Sequence, residues 1–280
     1  MSEMKWTAKN GILLSVCTFN LHGKEENDGT RLRAIAERLS ELKLDLCALQ
    51  EVVVDGDKNT AERLAEMLEG LTGEDYRVHF VESHLFYEMY PEGVAVVSRY
   101  PFREVGVIDL NDLGELSPLL PRHAAVSGVE VEGRRILFVS VHLDHHKNPL
   151  VRKLQVERLL EELESHYSGY AAVILAGDFN DTEDSPALRL LKENGFIDAY
   201  RTCNDDPGYT FPAPSPSMRI DYILVKGGLE VLYAGRIMEE GLSDHLGVYS
   251  ILGEGDATFQ KRRSTCRGSC EPAGSTSRPV

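Results

Sequence analysis

The sequence predicts an α/β fold with many strands, on three observations. Short apolar runs alternate along the chain with stretches of helical period. The runs are too apolar to leave one face in water, so the sheets they build must be covered on both sides. The composition, 42% hydrophobic and 27% charged over 280 residues, is that of an ordinary globular protein. A chain of this length buries roughly 75% of its unfolded surface and needs no covalent staples.

The elements follow in order. Residues 12–19, 44–49, 93–98, 136–141, 171–176, 220–225 and 246–251 read as buried strands. Residues 128–131 and 134–138 flank Glu132-Gly133 and read as a hairpin. Leu32, Ile35, Ala36, Leu39 and Leu42 recur at helical spacing, as do Ala61, Leu64, Ala65 and Leu68 in 61–71, and Val156, Leu159, Leu160 and Leu163. Ser185-Pro186 opens a short helix and Gly195 closes it, with Pro at the start and Gly past the end. The body, about residues 10–252, is expected to be one α/β domain with many strands. Residues 253–280, rich in Ser, Thr, Gly, Arg and Pro, are expected to form a disordered tail.

The net charge of −15, from 30 Lys and Arg against 45 Asp and Glu, argues against a protein that coats nucleic acid. Nucleic acid therefore stays open as a partner without being favoured, since a locally basic groove still serves a nuclease. Five scattered cysteines with no CxxC pair indicate neither a disulfide framework nor a zinc ribbon, and fit a reducing compartment. Lys5 and Lys9 before the apolar stretch 12–17 resemble a weak signal peptide. The stretch is short and runs straight into Phe19-Asn20-Leu21-His22, so a buried strand fits better. No run reaches the ~20 apolar residues of a membrane span, and a cytoplasmic location is expected. The sequence is silent on oligomeric state.

Polar motifs stand at the ends of the predicted strands. Strand 171–176 leads into Gly177-Asp178-Phe179-Asn180: Gly permits a tight turn, and Asp178 and Asn180 share a face if the strand persists. Asp and Asn serve a turn equally well. Gln50-Glu51 ends an apolar run, where a Glu is costly unless paired, for instance with a hard cation, or exposed at the strand end. Ser243-Asp244-His245 sets a metal-ligand type beside a general-base type, and Asp221, in Arg219-Ile220-Asp221-Tyr222, is available to fix the tautomer of His245. A loop with a surface histidine satisfies the same residues. His142 could touch a phosphate, and the cluster His142, Asp144, His145 and His146 lacks the helical spacing of a zinc site. His145, His146, Lys147, Arg152 and Lys153 read either as a phosphate funnel or as a solvated loop and helix start.

Taken together, Phe19-Asn20, Gln50-Glu51, Val141-His142, Gly177-Asp178-Phe179-Asn180, Arg219-Ile220-Asp221-Tyr222 and Ser243-Asp244-His245 resemble, in order, the endonuclease/exonuclease/phosphatase superfamily. The resemblance covers nearly the whole body. It implies a four-layer α/β/β/α sandwich, two mixed β-sheets flanked by helices, with a cleft at one end. It implies a phosphoester substrate and a Mg²⁺ cofactor, with Mn²⁺ as a substitute. Glu51 would be the principal metal ligand, helped by Asp244 and by Asn20 directly or through water. Asp178 and Asn180 would orient the attacking water and the phosphoryl oxygens. His245, held by Asp221, would act as base or charge stabiliser, His142 would hydrogen-bond the phosphate, and Arg122 would match a family arginine near it.

Specificity lies in the loops. Residues 84–92 carry Phe86, Tyr87 and Tyr90, and residues 205–218 carry Tyr209 and Phe211. The first expectation is a Mg-dependent phosphodiesterase or phosphomonoesterase acting on a small or lipid-derived ester. The alternative is a nuclease or DNA-end-processing phosphodiesterase. A catalytically dead binding module has no need of both Asp178 and His245.

Overall fold

In the computed structural model, which describes residues 5–8, 11–23, 29–237, 241–254 and 257–260, two large sheets stack face to face. The first half of the chain supplies β1 (Lys5–Ala8), β2 (Leu13–Asn20), α1 (Thr30–Glu41), β3 (Leu46–Asp55), β4 (Lys58–Asn59), α2 (Thr60–Thr72), β5 (Arg77–Phe86) and β6 (Tyr90–Ser98). Then come β7 (Phe102–Asp109), β8 (His123–Val131), β9 (Arg134–His142), α3 (Pro149–His166), β10 (Ala172–Asp178) and α4 (Pro186–Glu193). The chain continues through β11 (Ile197–Asp198), α5 (Ala199–Cys203), β12 (Asp221–Gly227), β13 (Glu230–Ile237), β14 (Gly247–Gly253) and β15 (Ala257–Gln260).

One sheet runs β13-β14-β2-β3-β6-β5, with β4 paired to β3, and the other runs β11-β12-β10-β9-β8-β7. The pairs β2–β3 and β9–β10 are parallel and the remaining pairs antiparallel, so both sheets are mixed.

Alternation along each strand builds three apolar layers. Leu14, Val16, Leu46, Ala48, Phe138, Ile174 and Ile223 meet between the sheets. Cys17, Phe19, Cys47 and Leu49 point the other way, under Leu32, Ile35 and Leu39 of α1 and Leu64 and Leu68 of α2. Val139, Val141, Leu175 and Leu224 pack under Val156 and Leu159 of α3 and Leu188 and Leu191 of α4. This is the four-layer α/β/β/α sandwich. Phe138 is fully buried between the sheets, so truncating it to Ala would cost about 3–5 kcal/mol.

The helices stop and start where local chemistry allows. Asn59 and Glu62 form a reciprocal capping box at α2, and Ser185 Oγ accepts from Leu188 N at α4 with Pro186 in the first turn.

Four differences from the sequence reading have physical causes. β5, β7 and β13 lay outside the predicted strands because they are sheet edges, half in solvent and without a continuous apolar run. β3 does not end at Gln50 but continues to Asp55 through a bulge. Gly177 sits inside β10 rather than in a turn; a Cβ there would lie 1.9 Å from the Val141 carbonyl oxygen, so close strand approach demands glycine. Within the expected tail, Ala257–Gln260 pairs antiparallel with Lys5–Ala8, giving that segment a backbone partner. Residues 261–280, with Cys266 and Cys270, lie outside the described residues.

Candidate active site

The polar motifs meet because strand ends in both sheets open on one cleft. In the six-stranded sheet Asp178 is the register partner of His142 on one side and of Asp221 on the other. In the seven-stranded sheet Asn20 ends β2 beside Gln50 of β3, and Asp244 lies in the turn before β14. Asn20 joins the two sheets: its Nδ2 donates to Asp178 Oδ2 at 3.2 Å and to Glu51 Oε1 at 3.0 Å. Deeper in, Gln50 Nε2 donates to Ser140 Oγ at 3.2 Å across the same interface.

Glu51 is aimed by backbone strain. The register of β3 shifts between Leu49 and Val52, and Glu51 takes φ 52°, a left-handed value that costs a non-glycine residue about 1 kcal/mol or more. The bulge turns its carboxylate into the cleft. Burial holds the Glu51 carboxyl above its usual range, and the Glu92 and Asp244 carboxylates push it the same way against the Asn20 hydrogen bond. The carboxamide of Asn20 is oriented by the backbone, because His22 N donates to its Oδ1 at 2.9 Å. Asn20 therefore presents donors, not an oxygen, to the two carboxylates. Asp244 Oδ1 lies 3.2 Å from His22 Nδ1 and 3.3 Å from Ser243 Oγ.

Opposite stands a buried trio of two carboxylates and a histidine. His245 Nδ1 is 3.0 Å from Asp221 Oδ2, and His245 Nε2 is 3.7 Å from Asp178 Oδ2. Burial opposes the charged imidazole, yet Asp221 and then Asp178 outweigh it and raise His245 to about 10. Burial raises the Asp178 carboxyl to about 7, against the pull of His245. Near neutrality His245 is a cation and Asp178 is poised to take a proton. The ring of Phe211 lies 4.8 Å from that of His245, and Thr210 Oγ1 accepts from Ile220 N and Asp221 N, so the 205–218 loop braces the trio.

His142 is a neutral donor. Arg122 Nη1 donates to its Nδ1 at 3.1 Å, which leaves the proton on Nε2, 3.5 Å from Asp178 Oδ2. Burial and then the Arg122 charge hold the ring well below its ordinary value. Arg122 is 4% exposed, and its Nε, with no hydrogen-bond partner among the described residues, lies 3.9 Å from Asp144 Oδ2. Asp144 also accepts from Leu119 N and Leu120 N, fixing the strap that carries Arg122.

Residues 17–245 match the model of the Endonuclease/Exonuclease/phosphatase family. The chain belongs to that family. Uncharacterized protein YbhP of Escherichia coli K12 is 31% identical over 147 residues, 49% of this chain and 54% of that one, so the chain spans about half the length of the curated relatives it matches. Among solved structures, an endonuclease/exonuclease/phosphatase family protein from Leptotrichia buccalis C-1013-b superposes with TM-score 0.72 at 25% identity, over 85% of this chain and 99% of that one. The mannosyl-6-phosphatase of Bacteroides thetaiotaomicron VPI-5482 gives TM-score 0.70 at 22% identity, over 85% and 99%. D. rerio TDP2 complexed with single strand DNA product gives 0.66 at 19% identity, over 86% and 98%. The last two likenesses show the fold alone.

Within this family fold, not every expected residue reaches the cleft centre. Asn180 does not share a face with Asp178 along a persisting strand: β10 ends at Asp178, and Asn180, at φ 49°, donates from N to Asp178 Oδ1 and from Nδ2 to Leu143 O. The basic funnel is engaged elsewhere, with Arg152 buried on Asp181 at 2.8 Å and Lys153 paired with Glu157. Of the histidine cluster, His142 and His145 meet Arg122, through its Nη1 at 3.1 Å and Nη2 at 3.5 Å, while His146 turns away and its Nδ1 accepts from Asn148 N. A cavity of about 640 Å³, lined in part by Thr182, Arg201, Tyr209 and Arg219, is walled by none of the chemical residues.

Asp178, Asp221 and His245 offer three buried ligand atoms within 4.8 Å and could hold a metal. Their mutual ion pairing uses those atoms, whereas among the described residues the carboxylates at the Glu51 end pair only with histidines, Asp244 with His22 and Glu92 with His84. The hard oxygen donors of Glu51 and Asp244, and the buried Glu92 Oε2 without a hydrogen-bond partner among the described residues, fit a divalent ion there. Glu92 and its partner His84 were missed by the sequence reading, which took 84–92 for a loop; they lie within β6 and β5, joined across 87–89, and only that pairing brings them together.

Proposed function

We propose that this chain is a divalent-metal-dependent hydrolase of phosphate esters, in a family whose members act on such bonds. The observation that carries the reading is the trio Asp178–His245–Asp221 facing Glu51 across Asn20. Asp178 takes the proton of the attacking water as its oxygen bonds to phosphorus and the in-line P–O ester bond breaks, the alcohol leaving with a proton taken from solvent. Cationic His245, steadied by Asp221, and the Nε2–H of His142 stabilise charge on the phosphoryl oxygens, with Arg122 behind His142. Asn180 tightens the turn that aims Asp178. Glu51 and Asp244 would hold Mg²⁺, or Mn²⁺ in its place, and that ion neutralises phosphate charge. Asn20 positions Glu51 and Asp178.

A small ester is the favoured substrate. The chain is acidic, and Arg152 and Lys153, the cations a nucleic-acid groove would use, are engaged by Asp181 and Glu157. The mannosyl-6-phosphatase likeness agrees with a phosphomonoester. A nuclease or DNA-end-processing role has one observation behind it: the rings of Phe86 and Tyr87 lie 4.2 Å apart, tilted by 50°, and Phe86 lies over Gly23, beside the cleft, where a base could rest. The free thiols Cys17 and Cys47 are aligned on neighbouring strands, and they support a cytoplasmic setting.

The test is Mg²⁺-dependent hydrolysis of p-nitrophenyl phosphate, mannose 6-phosphate, bis-p-nitrophenyl phosphate and single-stranded DNA. Preference for either monoester supports a phosphatase, preference for the diester a phosphodiesterase, and preference for DNA the second reading. No turnover on any of them would count against the proposal.

A further inference from the structure

The seven-stranded sheet lines up more acid than the proposed mechanism uses. Its order β14-β2-β3-β6-β5 brings Asn20, Glu51, Glu92 and His84, on four neighbouring strands, to the side of Asp244 in the turn before β14, at the end that opens on the cleft. Glu92 pairs in register with Val53, and the bulge sets Glu51 just before Val52 on that strand. Glu51 thus stands two residues before the register partner of Glu92, a diagonal position that in a regular pair sets backbones roughly 7–8 Å apart, and the Glu92 charge is felt at Glu51.

Glu92 is built into place. Its register partner on β5 is His84, just past a shift between Glu82 and His84. Gly93 makes this approach possible, since a Cβ there would lie 1.9 Å from the Val81 carbonyl oxygen. His84 Nε2 is 3.1 Å from Glu92 Oε1, and the side chains are 9% and 6% exposed. Oε2 of Glu92 is buried and has no hydrogen-bond partner among the described residues. A buried carboxylate oxygen of this kind is costly unless something meets it.

Its electrical neighbours indicate what that is. Glu92 acts through space on both Glu51 and Arg122. A phosphate would be repelled by it, and a second carboxylate beside Glu51 is unfavourable without a cation between them. A histidine fixing one oxygen while the other stays free is the support that metal-ligating carboxylates receive. We propose that Glu92, held by His84, is a further oxygen donor of the divalent-cation site centred on Glu51, directly or through a water on the ion. The inference rests on the metal reading of the proposed function.

The experiment is Mn²⁺ binding to the full-length protein, followed by electron paramagnetic resonance of free Mn²⁺ and by the Mn²⁺-induced rise in melting temperature, without substrate. Glu92→Gln is expected to weaken Mn²⁺ binding on the order of 10–100-fold, while Glu51→Gln abolishes it. His84→Gln, which leaves the carboxylate but removes its anchor, is expected to weaken it severalfold and serves if Glu92→Gln misfolds. Wild-type Mn²⁺ affinity in folded Glu92→Gln, with binding lost in Glu51→Gln, overturns the inference and leaves the proposed function standing. Unchanged affinity in Glu51→Gln as well would overturn both.

Discussion

Asn20 Nδ2 lies 3.2 Å from Asp178 Oδ2, and through this contact a residue of one sheet sets the position of a carboxylate in the other. Asn20 is fully buried and its carbonyl is held by His22 N, so the amide is oriented from both ends. Asn20→Ala would leave Asp178 and Glu51 each short of a donor. The expected outcome is a loss of about 1–3 kcal/mol in urea unfolding, together with a fall in kcat of roughly 100-fold from the misplaced carboxylate. Unfolding and steady-state kinetics on the same preparation check both.

Activity should follow a bell-shaped pH profile. Asp178 must be ionised to accept a proton, which sets an acid limb near the value of about 7 to which burial raises it. His245 must be charged, which sets a basic limb near about 10. These limbs belong to the coupled trio rather than to single residues. Asp221→Asn removes the first-named charge raising His245, so the basic limb should move to lower pH while the enzyme stays folded. The stability from the His245 ion pairs has the matching sign. A raised histidine contributes fully below its unfolded value of about 6.5 and loses that contribution as pH rises through about 10.

Without metal, Glu51 is a liability to the fold. It combines a left-handed backbone with a part-buried carboxylate whose neighbours include the Glu92 and Asp244 charges. Glu51→Gln keeps the acceptor for Asn20 and removes the charge. In EDTA at pH 8 the variant should melt above the wild type, on the order of 2–4 °C for each kcal/mol of relieved repulsion. With Mg²⁺ added, the order should reverse. Differential scanning calorimetry in the two buffers decides it.

Arg122 is expected to act through geometry as much as charge. Its Nη1 fixes the His142 tautomer, and a lysine cannot offer the same planar fork. Arg122→Lys should raise KM, and the inhibition constant of inorganic phosphate, about 10-fold, the effect of a charge-assisted hydrogen bond worth ~1.5 kcal/mol. Equal constants in the two proteins would remove Arg122 from phosphate binding.

The legible parts of this molecule were those where burial leaves a pattern. Strands such as β2, β10 and β14 are covered on both faces and read as apolar runs, and α1 and α2 show their buried stripe directly. Edge strands β5 and β7 alternate charged and apolar side chains in solvent and leave no such trace. At the site, the ordered motifs pointed to Asp178, His245 and Glu51, but not to how they are aimed. The bulge at Glu51 follows from pairing with β6, and the turn at Asn180 from the carbonyl of Leu143. The Glu92–His84 pair arises from a register between two strands, which the residues themselves do not announce. Arg152 and Lys153 looked available for phosphate because their partners, Asp181 and Glu157, lie in a later loop and one helical turn on.

The most direct test of the central claim is hydrolysis of the preferred phosphoester in H₂¹⁸O with Mg²⁺, by the wild type and by Asp178→Asn. Attack of water on phosphorus, with Asp178 taking its proton, predicts ¹⁸O in the phosphate product and not in the alcohol. It also predicts turnover lower by ~10²–10⁴-fold in the folded variant. Label in the alcohol, or wild-type turnover in Asp178→Asn, would contradict it.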